Sequence, residues 1–287
     1  MLKIENLSKN LGSFKLKNIN INLDEGFIMG IVGPNGSGKT TLMKLIMGLL
    51  DADEGNIKIF NKEIKYYPID IKNNIGFVYD SLDFYPHLKI KDFKKIMELM
   101  YEKFDKNKFN NYLSKFNLNE KFTIKHLSKG ESVKLMLANA LSHDAKLLIL
   151  DEPTAGLDPI IRKEILGYLQ EFIEEGKTSV IISTHNTEEL DKIADYITFI
   201  NRGKQVFTMD KESLIEDYKI VRASREELEK LSKFIIGMKN NKYYSEALIK
   251  LDTMEAIDIL KSIEIISIEN SVIEDVMYYY VEGKNNA

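Results

Sequence analysis

The sequence has no cysteine among its 287 residues. Without cysteine there is neither a disulfide framework nor a thiolate zinc site. It also has no run near the roughly 20 apolar residues that a helix needs to cross a bilayer. Its first residues, MLKIEN, lack the apolar core of a signal peptide. We therefore expect a soluble, cytoplasmic chain, which would depend on another chain for any membrane-embedded part.

The chain also has no excess of positively charged residues. Forty Lys and Arg face 44 Asp and Glu, the net charge is -4 and the pI is about 5.8. Because nucleic-acid-binding surfaces are basic, this balance predicts no nucleic-acid partner. Hydrophobic residues make up 44% of the chain, enough to build a core in one large or two modest domains.

What the sequence does contain is a glycine-rich loop of the pattern G-x-x-x-x-G-K-[ST]. An apolar run of strand length, FIMGIV at 27–32, precedes it, and residues 39–49 follow with leucine and isoleucine at helical spacing. The candidate binding residues are Gly33, Pro34, Asn35, Gly36, Ser37, Gly38, Lys39, Thr40 and Thr41. An ordinary glycine-rich turn is the alternative, but the flanking strand and helix favour a nucleotide site.

The residue types of this loop suit a chain of phosphates. Glycines let successive N–H groups point into one concavity where a side chain would block a phosphate. The helix that follows adds partial positive charge at its N-terminus. Lys39 can reach the β and γ phosphates, and the Thr40 hydroxyl can ligate Mg²⁺. The loop therefore predicts a site for a nucleotide with Mg²⁺.

Strand-like and helix-like segments alternate through the first 208 residues, which predicts an α/β fold with a parallel sheet. Residues 2–25 indicate short strands at the N-terminus. Residues 81–144 have a helical pattern and form a predicted insertion, with one apolar face made of Ile90, Phe93, Met97, Met100 and Phe104.

The last segment, residues 209–287, alternates on a smaller scale and predicts an α+β accessory domain. Strand-like stretches are expected at 218–223, 243–251 and 263–268. Helices are expected at 225–234, 253–262 and 271–281. The predicted domains are therefore 1–208 and 209–287.

Two acidic residues directly follow the apolar strand KLLIL at 146–150. Asp151 is expected to hold Mg²⁺, largely through water, and Glu152 to orient and deprotonate the attacking water. Their side chains point to opposite sides of a strand, so they can take separate roles. Simple strand termination is the alternative, but the glycine loop favours a catalytic pair.

Three further motifs resemble those of the ATP-binding cassette (ABC) ATPases. LSKGE at 127–131 is similar to the family's signature, AGLD at 155–158 to its D-loop, and STH at 183–185 to its switch histidine. The resemblance covers residues 1–208. It implies a P-loop NTPase of ABC type with an N-terminal antiparallel β subdomain and a helical insertion (81–144). The small C-terminal α+β appendage predicted from the pattern of 209–287 follows it.

The resemblance also implies a head-to-tail dimer with a second ATPase subunit, identical or related. Each ATP, with Mg²⁺, would lie between the glycine loop of one subunit and the signature of the other. Ser128 and Gly130 would bind the γ-phosphate in trans, and Asp158 would lie at the same nucleotide. His185 would contact the γ-phosphate and sense its loss.

The chain departs from the family's pattern at several positions. Leu11 stands where an aromatic residue usually stacks on adenine, so either Phe14 replaces that residue or the base stacks weakly. Asp80 stands where a glutamine usually ends its strand, and it is a candidate Mg²⁺ ligand. In the signature, Lys129 and Glu131 replace glycine and glutamine. Because Glu152 and His185 are intact, we still predict an active ATPase.

Within the family, the segments around 127–164 and 193–200 are similar to Gram-positive exporter ATPases that pair with an ABC-2-type membrane permease. That branch includes exporters of phenol-soluble modulins and of antimicrobial peptides. The resemblance implies a chain held peripherally on the inner face of the cell membrane. A regulatory, poorly hydrolysing subunit of an asymmetric pair, an importer subunit and a soluble ABC protein of translation or DNA repair remain alternatives.

Overall fold

The computed structural model describes residues 1–65, 68–79, 86–174 and 178–282. The chain forms two compact units, one of Met1–His185 with Ile200–Phe207 and the other of Asn186–Phe199 with Thr208–Ala287. The second unit thus takes in residues 186–199 as well as the C-terminal segment. The division into domains 1–208 and 209–287 stays a prediction. No helix in the four described ranges has the length and hydropathy to span a membrane.

Strands and helices alternate up to residue 210, as the pattern predicts. The strands are β1 Leu2–Leu11, β2 Phe14–Leu23, β3 Ile28–Val32, β4 Glu54–Ile59, β5 Lys62–Glu63, β6 Ile75–Val78, β7 Leu147–Asp151, β8 Ser179–Ser183, β9 Tyr196–Asn201 and β10 Lys204–Asp210. The helices are α1 Lys39–Ile46, α2 Ile69–Lys72, α3 Ile90–Met100, α4 Lys106–Lys115, α5 Lys129–Ser142, α6 Pro159–Glu174 and α7 Thr187–Ile193.

The first unit contains an antiparallel and a parallel group of strands. β5, β4, β1 and β2 pair antiparallel in that order, and β10 joins β2 through Lys204 and Lys17. β3, β8, β7 and β6 pair parallel in that order. Every residue of β3 and β8 is buried, as expected for parallel strands covered by other elements. The predicted fold class is confirmed.

The register of the parallel strands places the functional motifs at one edge of the sheet. Asp151, the last residue of β7, pairs with Ser183, the last residue of β8, and Ser183 pairs with Ile31 of β3. Parallel strands have their carboxyl ends at the same edge, where ligands of open α/β sheets bind. The glycine loop after β3, the acidic pair after β7 and the histidine after β8 are therefore neighbours.

The predicted helical insertion lies between β6 and β7 and contains α3, α4 and α5. The apolar face of α3 was predicted one turn too long. Ile90, Phe93 and Met97 are buried, whereas Met100 is the last residue of the helix and is exposed. Phe104 lies beyond the helix and packs its ring 5.5 Å from that of Phe109 in α4.

The C-terminal part of the second unit has the predicted α+β composition. Its elements are α8 Lys211–Asp217, β11 Tyr218–Ala223, α9 Arg225–Glu229, β12 Ile235–Asn240, β13 Ser245–Lys250, α10 Met254–Ser262, β14 Ile265–Asn270 and α11 Ile273–Glu282. The strands form an antiparallel sheet in the order β12-β13-β11-β14. From β11 onward the chain therefore follows the β-α-β-β-α-β pattern. The predicted helix 225–234 is shorter, and β12 was not predicted.

Candidate functional site

The glycine loop joins the buried strand β3 to helix α1, and its close packing requires glycine at two positions. A β-carbon at Gly33 would come 2.1 Å from the carbonyl oxygen of Ile200. Gly38 precedes α1 with a φ of +112°, and a β-carbon there would come 2.8 Å from Cζ of Phe14. Both contacts are far below van der Waals distance, so the loop holds this conformation only with glycine.

Lys39, the first residue of α1, is directed back into the loop. Its Nζ donates to the carbonyl oxygens of Gly33 at 2.7 Å and Pro34 at 3.4 Å. Burial lowers the pKa of the Lys39 ammonium, while the carboxylates of Glu152 and Asp151 act in the opposite direction. The ammonium group thus lies in the glycine loop with two carboxylates nearby, where it can bind phosphate oxygens.

The acidic pair is held by strand β8. The Ser183 hydroxyl donates to Oδ1 of Asp151, and the backbone N–H of Glu152 donates to the Ser183 carbonyl at 3.0 Å. Glu152 leaves the strand with a φ of +50°, a left-handed conformation that non-glycine residues seldom adopt. Its Oε2 lies 2.7 Å from Nδ1 of His185. The turn after β7 therefore places the Glu152 carboxylate against the His185 ring.

A cavity of about 650 Å³ brings these groups together. It is lined by Leu11, Phe14, Asn35, Gly36, Ser37, Gly38, Lys39, Thr40, Thr41, Glu152, Ala155 and His185. This volume lies in the usual range for a small-molecule site. Most of the predicted nucleotide-binding residues therefore line one cavity.

The predicted signature residues line a different and smaller cavity of about 210 Å³, together with Asp158. Ser128 caps helix α5, and the Glu131 carboxylate accepts from the backbone N–H of Ser128 at 2.8 Å, which forms a capping box. A β-carbon at Gly130 would come 2.6 Å from Cγ2 of Ile161. Ser128, Gly130 and Asp158 thus meet one another but do not line the glycine-loop cavity.

Leu11, Phe14 and Asp80 are positions at which the sequence departs from the family's pattern or could compensate for a departure. Leu11 and Phe14 are a cross-strand pair at the end of the β1–β2 hairpin, and both line the glycine-loop cavity. Leu11 is 42% exposed. Asp80, the candidate Mg²⁺ ligand, lies outside the described residues.

Sequence reasoning did not assign a role to two residues of the site. Ser183 holds the Asp151 carboxylate, and its position opposite Asp151 follows from a strand register that the sequence does not state. Lys134 lines the signature cavity although it lies beyond the LSKGE motif. Lys134 lies one helical turn after Gly130, and this spacing could have predicted that the two residues share a helix face.

The side chains at the glycine loop fit a nucleotide with Mg²⁺. The Ser37 hydroxyl is buried and has no hydrogen-bond partner among the described residues. No group of three or more His, Asp or Glu side chains in the described part could hold a metal alone. Mg²⁺ usually binds one or two protein ligands and takes the rest from phosphates and water. Thr40 and Asp151 fit that pattern.

The protein has a phosphate-binding loop after a buried parallel strand and an acidic pair at the end of another strand of the same sheet. These features place it among the P-loop nucleotide-binding ATPases. Residues 16–155 match the family model of ABC transporters. The chain is 32% identical over 219 residues to the ABC transporter ATP-binding protein YtrB of Bacillus subtilis, covering 76% of this chain and 75% of that one. It belongs to the ATP-binding proteins of ABC transporters.

Other known proteins agree with this assignment. The lantibiotic transport ATP-binding protein SrtF of Streptococcus pyogenes is 36% identical over 207 residues, which are 71% of this chain and 88% of SrtF. An ATP-binding cassette solved as a dimer with ADP and Pi after hydrolysis is 25% identical, with a TM-score of 0.65, covering 73% of this chain and 98% of that one. The chain is accordingly an ATPase that binds ATP with Mg²⁺ and works with a membrane permease.

Proposed function

We propose that the chain hydrolyses ATP to power a separate ABC-2-type permease that exports peptides or other antimicrobial compounds. The observation that carries the proposal is the Glu152 carboxylate, held 2.7 Å from His185 at the glycine-loop cavity. The likeness to SrtF, whose name states lantibiotic transport, supports export of peptides. Such a chain would be held on the inner face of the membrane by its permease.

The chemistry assigns separate tasks to the residues of the cavity. Glu152 accepts a proton from the attacking water, whose oxygen bonds to the γ-phosphorus while the bond to the β–γ bridging oxygen breaks. Lys39 binds the β and γ phosphates in place of its present partners, the carbonyls of Gly33 and Pro34. His185 contacts the γ-phosphate and orients the Glu152 carboxylate. Mg²⁺, held by Thr40 and Asp151, would neutralise charge on the β and γ oxygens.

The separation of the two cavities supports a head-to-tail dimer. Ser128 and Gly130 do not line the glycine-loop cavity of their own chain. Ser128 lies at the N-terminus of α5, where the helix dipole favours an anion. The signature of a second subunit, identical or related, therefore completes each nucleotide site.

A direct test is ATP hydrolysis by the purified chain together with the permease that co-purifies from membranes. We expect phosphate release above that of a Lys39→Ala control, which loses the charged contact with the phosphates. Inside-out vesicles should take up an amphipathic antimicrobial peptide only with ATP. Hydrolysis equal to that of Lys39→Ala would contradict the proposal and support a regulatory subunit. Hydrolysis without peptide uptake would overturn only the proposed substrate.

The part of the cavity lined by Leu11 and Phe14 leads to a further prediction, on binding of the adenine base. Leu11 offers an aliphatic side chain beside Phe14 in this cavity, where a tyrosine would add a ring on which the base can stack. Leu11→Tyr should tighten ATP binding by about fivefold, since stacking of a base on an aromatic ring contributes roughly 1 kcal/mol. Titration with a fluorescent ATP analogue measures the change. Leu11→Met, which adds no ring, is the control, and equal affinities for both variants would refute the prediction.

A further inference from the structure

The first turn of the signature helix α5 is packed directly against the first turn of α6. Gly130 leaves no room for a side chain there, because a β-carbon would come 2.6 Å from Cγ2 of Ile161. Asp158 caps α6 by accepting from the N–H groups of Ile160 at 3.0 Å and Ile161 at 3.1 Å. The signature segment therefore touches the helix that continues directly from the D-loop.

One turn further along both helices, a charged pair joins them. Lys134 of α5 is only 7% exposed, and its Nζ lies 2.7 Å from Oε2 of Glu164 in α6. The other carboxylate oxygen of Glu164 accepts from the Tyr168 hydroxyl at 2.7 Å. Burial raises the pKa of Glu164, but the hydrogen bonds from Lys134 and Tyr168 outweigh it and hold the pKa below its usual value. Glu164 is thus an anion fixed by two donors.

The environment of Lys134 differs from that of Lys115, which is also paired with α6. Lys115 also pairs with α6, through Glu171 at 2.6 Å, but both of those side chains are substantially exposed. Exposed pairs contribute little, whereas loss of Glu164, whose own side chain is 31% exposed, would leave the buried Lys134 charge without its partner. Lys134 also lines the signature cavity beside Ser128 and Asp158. Lys134 thus connects the residues that would meet the partner subunit's ATP to Glu164, which is partly exposed.

We propose that Lys134 and Glu164 are positioning residues that make the signature helix and the D-loop helix move as one body. The inference rests on the proposed function, in which Ser128 meets ATP in trans and Glu152 acts on ATP in cis. Residues 152–158 connect Glu152 to the start of α6. A displacement of α5 when the partner's ATP binds is therefore passed through Glu164 to the segment that carries the catalytic base.

The test compares Lys134→Met, Glu164→Gln and Lys134→Arg with the wild-type chain. Lys134→Met should slow turnover by roughly 10- to 100-fold, because small misplacements of catalytic groups carry penalties of that size. Binding of a fluorescent ATP analogue to the monomer should be unchanged, since Lys134 does not line the glycine-loop cavity. Lys134→Arg keeps the charge and should restore most of the turnover. Lys115→Met, which removes the exposed pair to the same helix, should behave as wild type.

Four results would each support or overturn the inference. A loss of turnover with intact nucleotide binding, rescued by arginine, supports the inference. Turnover of Lys134→Met equal to that of Lys115→Met overturns it while leaving the proposed function standing. Glu164→Gln provides a second route: if Lys134→Met fails to fold, a folded Glu164→Gln with wild-type turnover also overturns the inference. Absence of hydrolysis in the wild-type chain with its permease would instead overturn the proposed function and this inference with it.

Discussion

Replacing Glu152 with glutamine is expected to slow ATP turnover by about 10²- to 10⁴-fold, the contribution typical of a positioned general base. Glutamine keeps the size and one oxygen of the side chain but cannot accept the proton from water. The backbone of Glu152 is fixed by its hydrogen bond to Ser183 and its φ of +50°. The substitution should therefore leave the cavity and the binding of ATP intact.

The same variant should trap the closed dimer, because bound ATP is no longer consumed. The mass of Glu152→Gln in solution, with and without Mg-ATP, measures this effect. We expect a monomer without nucleotide and a dimer with it. Glu171→Gln removes an exposed carboxylate of α6 and serves as the control, which should turn over ATP at the wild-type rate.

Either half of this prediction can fail separately. Turnover near the wild-type rate would exclude Glu152 as the base. A persistent monomer with ATP would show that two copies of this chain do not pair by themselves. The second ATPase subunit would then be a different chain, or pairing would need the permease.

The motifs of the glycine loop could be predicted because their residues are contiguous. A nine-residue segment with glycine at fixed positions determines its own loop, and the flanking strand and helix are visible as apolar patterns. The acidic pair was predicted from its place at the end of an apolar strand, and His185 from the resemblance of STH at 183–185 to the family's switch histidine. Their proximity needed only the rule that parallel strands end at one edge.

Features that depend on tertiary packing were not predictable in the same way. The apolar stripe of α3 continues in sequence to Phe104, yet the helix ends at Met100. Tyr101 instead turns to stack its ring 3.9 Å from the ring of His143, which is buried. A hydrophobic period of 3.6 residues shows which face of a helix is apolar. It does not show at which residue the helix ends, because that depends on contacts with residues of other elements.

The second unit shows a related limit. Strand β12 at Ile235–Asn240 has Gly237 in its interior and two polar residues at its end, so its strand pattern is weak. It forms because β13 pairs with it over Ile249, Leu248, Ala247, Glu246 and Ser245. The pair of Lys134 and Glu164 is similar, since its members are 30 residues apart and only the packing of two helices joins them.

In a head-to-tail dimer, two substitutions placed on different chains should leave ATPase activity, whereas the same two placed on one chain should abolish it. Lys39→Ala disables the glycine loop. Ser128→Asp keeps a good N-cap for α5 but sets a carboxylate against the γ-phosphate. A mixed dimer of the two single variants has both defects in one site and none in the other, so it should retain one active site. A dimer of the double variant with the wild-type chain has one defect in each site and should be nearly inactive.

Differently tagged chains, purified in two affinity steps with Mg-ATP, allow both mixed dimers to be isolated and their phosphate release compared. The arrangement that retains activity identifies the geometry. If each chain used its own signature, the dimer of the two single variants would be inactive and the dimer with the wild-type chain would keep one site. The separation of the glycine-loop cavity from the one lined by Ser128 and Asp158 favours the first result. Since both dimers contain the same two substitutions, reduced folding or expression cannot produce the reversal.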